Sequence, residues 1–168
     1  MHNVINIVGA VAVALSLDVS ENQIKHAVAL LKPTEHRLEK KSFLNGSILL
    51  DDSYNSNPEG SVEAANVLGS FKNKTKIAVT PGMVELGDKE YELNYNFGVK
   101  LAENSDILIL VGKERSKPFL SAAKSVNFNE DNIFVVNSFK EAYSKLTGLC
   151  NKNTVVLFEN DLPDNYVK

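Results

Sequence analysis

The chain has 168 residues, 43% of them hydrophobic and 23% charged, with 18 Lys+Arg against 21 Asp+Glu. That length and composition fit one globular core with an appendage, exclude disorder as the global state and require no metal or disulfide staple. A formal charge of −3 lacks the basic surplus of a nucleic-acid binder, and the single cysteine, Cys150, can form neither an intrachain disulfide nor a Cys-based zinc site.

Val4–Leu17 is apolar nearly all round, which predicts a helix covered on most sides. It falls short of the roughly 20 residues a bilayer span needs. Its leading flank Met1-His2-Asn3 has no Lys or Arg and no clear cleavage site follows, so a signal peptide is not expected. One thiol and no span fit a cytoplasmic protein. A second helix opens on a capping box, Ser20 with Gln23, and carries the stripe Ile24, Ala27, Val28, Leu31 before Lys32-Pro33-Thr34 ends it. The domain boundary is expected at Lys32–His36, giving residues 1–35 and 36–168.

Beyond it, Leu38–Leu44 and Ser47–Leu50, joined through Asn45-Gly46, suggest an antiparallel hairpin. Ser47–Leu50, Lys76–Val79, Asp106–Val111, Asn132–Val136 and Thr154–Phe158 read as strands. Pro58–Phe71, Glu90–Glu103, Pro118–Ser125 and Ser138–Leu146 read as helices between them. The strand runs are continuously apolar, as in strands covered on both faces. The alternation predicts an α/β fold: a Rossmann-like, mostly parallel sheet with flanking helices and right-handed crossovers.

Ligands of such sheets sit beyond the carboxyl ends of the strands. There the sequence places Asp51-Asp52-Ser53-Tyr54-Asn55-Ser56-Asn57-Pro58, with Asn57 as N-cap and Pro58 at the first helical position. A carboxylate suits a ribose diol and an aromatic ring packs on a base; the plainer reading is a strand-to-helix turn rich in its own backbone bonds. Thr80-Pro81-Gly82-Met83-Val84-Glu85-Leu86-Gly87, Gly112-Lys113-Glu114-Arg115 and the acidic Glu159–Tyr166 follow other strands, with a permissive loop, solvated charges and a frayed terminus as their plain readings. The His36-Arg37 pair lies in the connection, where a guanidinium could reach a phosphate. His2, His26 and His36 share no ligand spacing, and Cys150 has no nearby His to activate it. The sequence holds no Gly-x-x-x-x-Gly-Lys-Ser/Thr loop, no Gly-x-Gly-x-x-Gly and no Gly-x-Ser-x-Gly elbow, so a complete nucleotide enzyme is not expected in this chain.

In this order, His2-Asn3-x-x-Asn6, His36-Arg37-Leu38-Glu39 and Asp51-Asp52-Ser53-Tyr54-Asn55-Ser56-Asn57-Pro58 resemble the Mur ligases, most of all the branch whose acceptor is D-alanyl-D-alanine. The resemblance implies ATP-dependent amide formation through an acyl phosphate in peptidoglycan precursor synthesis. The partners would be ATP with Mg2+, a UDP-MurNAc peptide and an amino acid or dipeptide acceptor. Residues 1–35 would be the last two helices of a central ATP-binding domain and 36–168 the carboxyl-terminal domain, inactive alone. Asn3 and Asn6 would face adenine, Arg37 the phosphates or ribose, and Asp52 the ribose hydroxyls. Tyr54, Asn55 and Ser56 would line the cleft toward nucleotide and substrate. No catalytic set, phosphate loop or metal site is expected here, and the bare apolar helix would be covered by the missing domain or by self-association. Glu159-Asn160-Asp161-Leu162-Pro163 departs from a basic stretch found in many of that branch, which leaves a related acceptor open. Rival readings are the matching domain of a folylpolyglutamate synthase-like ligase and a non-catalytic Rossmann-type nucleotide-binding or regulatory module.

Overall fold

The computed structural model describes residues 4–32, 34–54 and 56–160, and the chain divides into two compact units, Met1–Thr34 and Glu35–Lys168. Asn3, Asn55 and the stretch from Asp161 onward lie outside the described residues.

The first unit is a helix pair, α1 (Val4–Ser16) and α2 (Glu21–Ala29). Ser20 caps α2, its hydroxyl accepting from the Gln23 amide at 3.4 Å while the Gln23 side chain accepts from the Ser20 amide at 3.2 Å. The burial expected of α1 is not met within this unit. No residue of either helix is buried, and Ile5 is 83% exposed. Two helices of 13 and 9 residues have too little surface to enclose one that is apolar all round. Among the described residues no helix is long and apolar enough to cross a membrane.

The second unit runs β1 (Glu39–Ser42), β2 (Ile48–Asp52), α3 (Pro58–Gly69), β3 (Thr75–Thr80), α4 (Glu90–Asn104), β4 (Ile107–Val111), α5 (Lys117–Ser125), β5 (Ile133–Val136), α6 (Phe139–Leu149), β6 (Thr154–Glu159). They form one six-stranded sheet, ordered β1-β2-β6-β3-β4-β5, in which only the β1–β2 pair is antiparallel. This is the α/β, mostly parallel architecture the alternation predicts. The entry hairpin is present, but a short 3-10 turn over Leu44–Gly46 replaces a two-residue turn. Asn45 and Gly46 adopt φ of 53° and 78°, and the Asn45 amide donates to the Thr147 and Cys150 carbonyls at the end of α6.

Strand parity sorts the core into two layers. Leu50, Ala78, Leu108, Leu110, Val155 and Leu157 face α3, α4 and α5; Leu49, Ile77, Val79, Ile109, Val111 and Val156 face α6. The steps β2 to β3, β3 to β4 and β4 to β5 cross the sheet in one direction and put their helices on one face. The step β5 to β6 returns and puts α6 on the other, as crossovers of uniform hand require. Every parallel strand therefore ends at the same edge.

Candidate functional site

At that edge β2 delivers two adjacent carboxylates to opposite faces of the sheet. Asp51 Oδ2 receives Lys41 Nζ at 2.7 Å and lies 2.8 Å from His36 Nδ1, while Ser53 Oγ donates to Oδ1 at 2.6 Å. Burial pushes the Asp51 carboxyl up, but the bonds from Lys41, Ser53 and His36 outweigh it and hold the group below its ordinary value. The same cluster raises the Lys41 ammonium. Asp52, 6% exposed, accepts the Leu38 amide at 2.9 Å through Oδ1. The two aspartates thus tie down the connecting segment at His36 and at Leu38, residues with φ of 56° and 51° that bracket Arg37. A third tie runs from the Tyr54 amide to the His36 carbonyl at 3.3 Å. Arg37 lies over the Tyr54 ring, its guanidinium carbon 4.7 Å from the centroid, and that ring is 69% exposed.

Of the residues singled out in the sequence, the structure gathers Arg37, Asp52 and Tyr54 here, with Ser56 alongside. Asn6 lies exposed in the first turn of α1, within the first unit. Asn3 and Asn55 are outside the described residues. Asn57 caps α3 as expected, accepting the Gly60 amide at 2.9 Å.

Glu159 is the site residue that sequence reasoning missed. In sequence it is singled out only within the acidic stretch Glu159–Tyr166, with no role of its own and a frayed terminus as the plain reading; in the structure it is the last residue of β6 and only 1% exposed. It pairs in register with Asp52, and it shares the α3 face of the sheet with Asp52 and Thr80. Ser56 and Ser61 donate to its Oε1 at 2.7 and 2.6 Å, and the Thr80 hydroxyl lies 3.4 Å from Oε2. Burial drives its carboxyl up to about 7; the hydroxyls of Ser61 and Ser56 pull against that and the nearby Asp52 charge adds to it. Its neighbour Asn160 is buried too, donating from the side chain to the Gly82 carbonyl at 2.7 Å and from the backbone to the Asp52 carbonyl at 3.1 Å. The signal was present in the sequence: Val155, Leu157 and Glu159 alternate onto one face.

The loop after β3 is pinned to α4. Asn94, buried, accepts the Met83 amide at 2.8 Å and donates to the Met83 and Glu90 carbonyls, each at 2.9 Å. Gly82 is required there: its φ is 82°, and a Cβ would lie 3.0 Å from both Asn94 Oδ1 and Phe119 Cε2. Beyond this loop opens a cavity of about 690 Å³, bounded by Met83, Tyr91 and Asn94 and by the charged Asp88, Glu90, Glu114 and Arg115. One guanidinium among three carboxylates suits a ligand carrying both an ammonium and a carboxylate. Among the described residues no group of three or more His, Cys, Asp and Glu side chains is placed to hold a metal ion.

An open, mostly parallel sheet with its polar residues collected at the carboxyl edge defines the α/β domain class whose ligand crevices lie at that edge. Residues 36–159 match the family described as "Mur ligase, glutamate ligase domain", and the chain belongs to the Mur ligase family. The family's members are ATP-dependent ligases, of which this domain is a carboxyl-terminal part. The chain is 30% identical over 156 residues to the UDP-N-acetylmuramoylalanine–D-glutamate ligase of Caldanaerobacter subterraneus subsp. tengcongensis, covering 93% of this chain and 32% of that protein. It is 31% identical over 114 residues to the UDP-N-acetylmuramoyl-tripeptide–D-alanyl-D-alanine ligase of Escherichia coli K12, covering 67% of this chain and 25% of that protein. The crystal structure of MurF from Acinetobacter baumannii superposes with a TM-score of 0.77 at 28% identity, covering 95% of this chain and 34% of that one. The chain therefore spans about a third of the length of the curated relatives it matches.

Proposed function

We propose that this chain is the part of a cytoplasmic peptidoglycan-precursor ligase that closes over ATP and helps hold the incoming amino acid or dipeptide. The reaction is that of the family: the carboxylate of a UDP-MurNAc peptide takes the γ-phosphoryl group of ATP, and the acceptor amine then displaces phosphate from the acyl carbon to leave an amide. The observation that carries the reading is the tethered connection. Asp51 and Asp52 hold the segment around Arg37 against the strand ends, and Arg37 stands over an exposed tyrosine ring. In that place a guanidinium serves phosphate, a carboxylate serves a ribose diol, and a ring serves the cleft wall. Asn3 and Asn6 would serve adenine from residues 1–35, the last helices of a central domain that also covers α1. Asn55 and Ser56 would line the cleft with Tyr54, and the cavity beside Arg115 would receive the zwitterionic acceptor.

Because Asp52 also holds the Leu38 amide, its two roles need separating. In the complete ligase Asp52→Asn keeps an oxygen for that amide and removes the charge. We expect its melting temperature to stay close to wild type while the KM for ATP rises about ten- to a hundred-fold, the loss of charge-assisted bonds worth about 1.5–3 kcal/mol. Arg37→Ala should lower kcat, because the connection engages the nucleotide when the site closes. Unchanged ATP kinetics in Asp52→Asn, with a lower melting temperature in Asp52→Ala, would leave Asp52 as a tether alone. Parallel assays with D-glutamate and D-alanyl-D-alanine identify the acceptor.

A further inference from the structure

We propose that Glu159 is a positioning residue for the cleft: its buried carboxyl holds Ser56 and the first turn of α3 against the end of β3, and so fixes the wall that leads from Ser56 to the β3 loop, whose Met83 borders the acceptor cavity. The inference rests on the functional reading above for what the wall is used for, but its geometry stands apart from that reading. A carboxyl 1% exposed is costly to keep, and nothing in the packing of the core asks for one. Its Oε1 accepts hydroxyls from two different segments, Ser56 in the turn after β2 and Ser61 in the first turn of α3. Its Oε2 lies 3.4 Å from the Thr80 hydroxyl, which itself accepts the Gly82 amide at 3.0 Å. One side chain thereby joins three elements at the point where they reach the cleft. Ser56 is half-buried, so a carboxyl hidden from solvent is coupled by one hydrogen bond to a residue on the cleft surface.

Protonation changes what this side chain can hold. The ionised carboxylate accepts from Ser56, Ser61 and Thr80 together. The protonated form must donate its own proton, so one of the Ser56, Ser61 and Thr80 hydroxyls around it, at 2.7, 2.6 and 3.4 Å, must turn from donor to acceptor. The charged group facing Glu159 is Asp52 on β2; the groups facing it from α3, β3 and the β3 loop are the neutral Ser61, Thr80 and Met83. Its carboxyl, raised to about 7, places this exchange near neutral pH.

Two measurements test the proposal. Amide hydrogen exchange on the 168-residue chain reads the wall directly, through the Gly60, Ser61 and Gly82 amides, all hydrogen-bonded within it. Their protection, corrected for intrinsic rates, should change between pH 6 and 8 in the wild type and be flat in Glu159→Gln. In Ser56→Ala it should fall about tenfold at Gly60 and Ser61, leaving Ile107–Val111 unchanged. In the complete ligase, Glu159→Gln should raise the acceptor KM and flatten the pH profile near 7, with the KM for ATP little changed. A wild type whose protection at these amides does not vary with pH, or a Ser56→Ala chain with wild-type protection, overturns the proposal whatever the enzyme does. If exchange behaves as expected but no nucleotide or acceptor binds the complete protein, the functional reading fails and the positioning of the wall stands. A Glu159→Gln ligase with wild-type acceptor kinetics at every pH overturns the part that concerns the acceptor.

Discussion

Two carboxylates at one sheet edge, Asp51 and Glu159, are held in opposite ways. Asp51 is surrounded by donors and stays ionised below its ordinary range, whereas Glu159 is buried among hydroxyls and retains its proton to about 7. Their effects on stability therefore fall in different pH windows. For Glu159 the folded value lies above the ordinary 4.5, so its contribution is fully present below 4.5 and is lost as pH rises through 7. The loss amounts to about 3 kcal/mol at most, given about 1.4 kcal/mol for each pH unit. For Asp51 the folded value lies below 3.8, so its contribution is present above that and is lost only as the solution becomes strongly acidic. Thermal melts from pH 5 to 8 should show the wild type losing several degrees, and Glu159→Gln should remove most of that fall and melt higher than wild type at pH 8. A wild-type melting temperature level across the range would mean that Glu159 ionises like a surface carboxylate. The Asp51–Pro58 string was legible because chemistry-bearing types stand together after an apolar run. Glu159 was not: its alternation with Val155 and Leu157 gives only the face it lies on, while its partners Ser56, Ser61 and Thr80 come from distant segments.

Helix and strand identities followed from periodicity and caps. The observed bounds of β2 to β6 and α3 to α6 shift by no more than a few residues from the expected ones, which is normal fraying of element ends. Sheet order did not follow, since an apolar run states that a strand is buried and not which strand lies beside it. The helices also differ in how closely they approach. Gly98 of α4 meets α5 so tightly that a Cβ would sit 2.9 Å from the Ala122 Cβ and 3.1 Å from the Phe119 backbone. Gly148 of α6 has nothing within 4 Å. The same substitution should therefore have opposite signs. Gly98→Ala gains about 1 kcal/mol of helix propensity but meets an overpacking cost of about 1–3 kcal/mol, a net destabilisation of about 1 kcal/mol. Gly148→Ala meets no such cost and should stabilise by up to about 1 kcal/mol. Urea titrations of both variants read the difference, and a stabilised Gly98→Ala would show that α4 and α5 can move apart freely.

At the scale of the molecule, the two units differ in what holds them together. The sheet unit has core layers on both faces, while neither helix of the first unit buries a residue. Removing residues 1–34 should then leave the sheet unit with a melting temperature within a few degrees of the intact chain. Calorimetry on a chain beginning at Glu35 checks this, and a collapse of its transition would show that the sheet depends on the helix pair. The position of β6 has a consequence of another kind. This strand lies between β2 and β3, yet it is translated after every other strand of the sheet. While a ribosome is still making α6, β2 and β3 have no common partner, and their inner edges stand open as templates for pairing with other chains. The native sheet can close only in one late step that brings together segments separated by about a hundred residues, the kind of long-range closure that slows folding. During synthesis, then, the half-built domain depends on a chaperone or on speed until Glu159 has emerged and can reach Ser56 and Ser61.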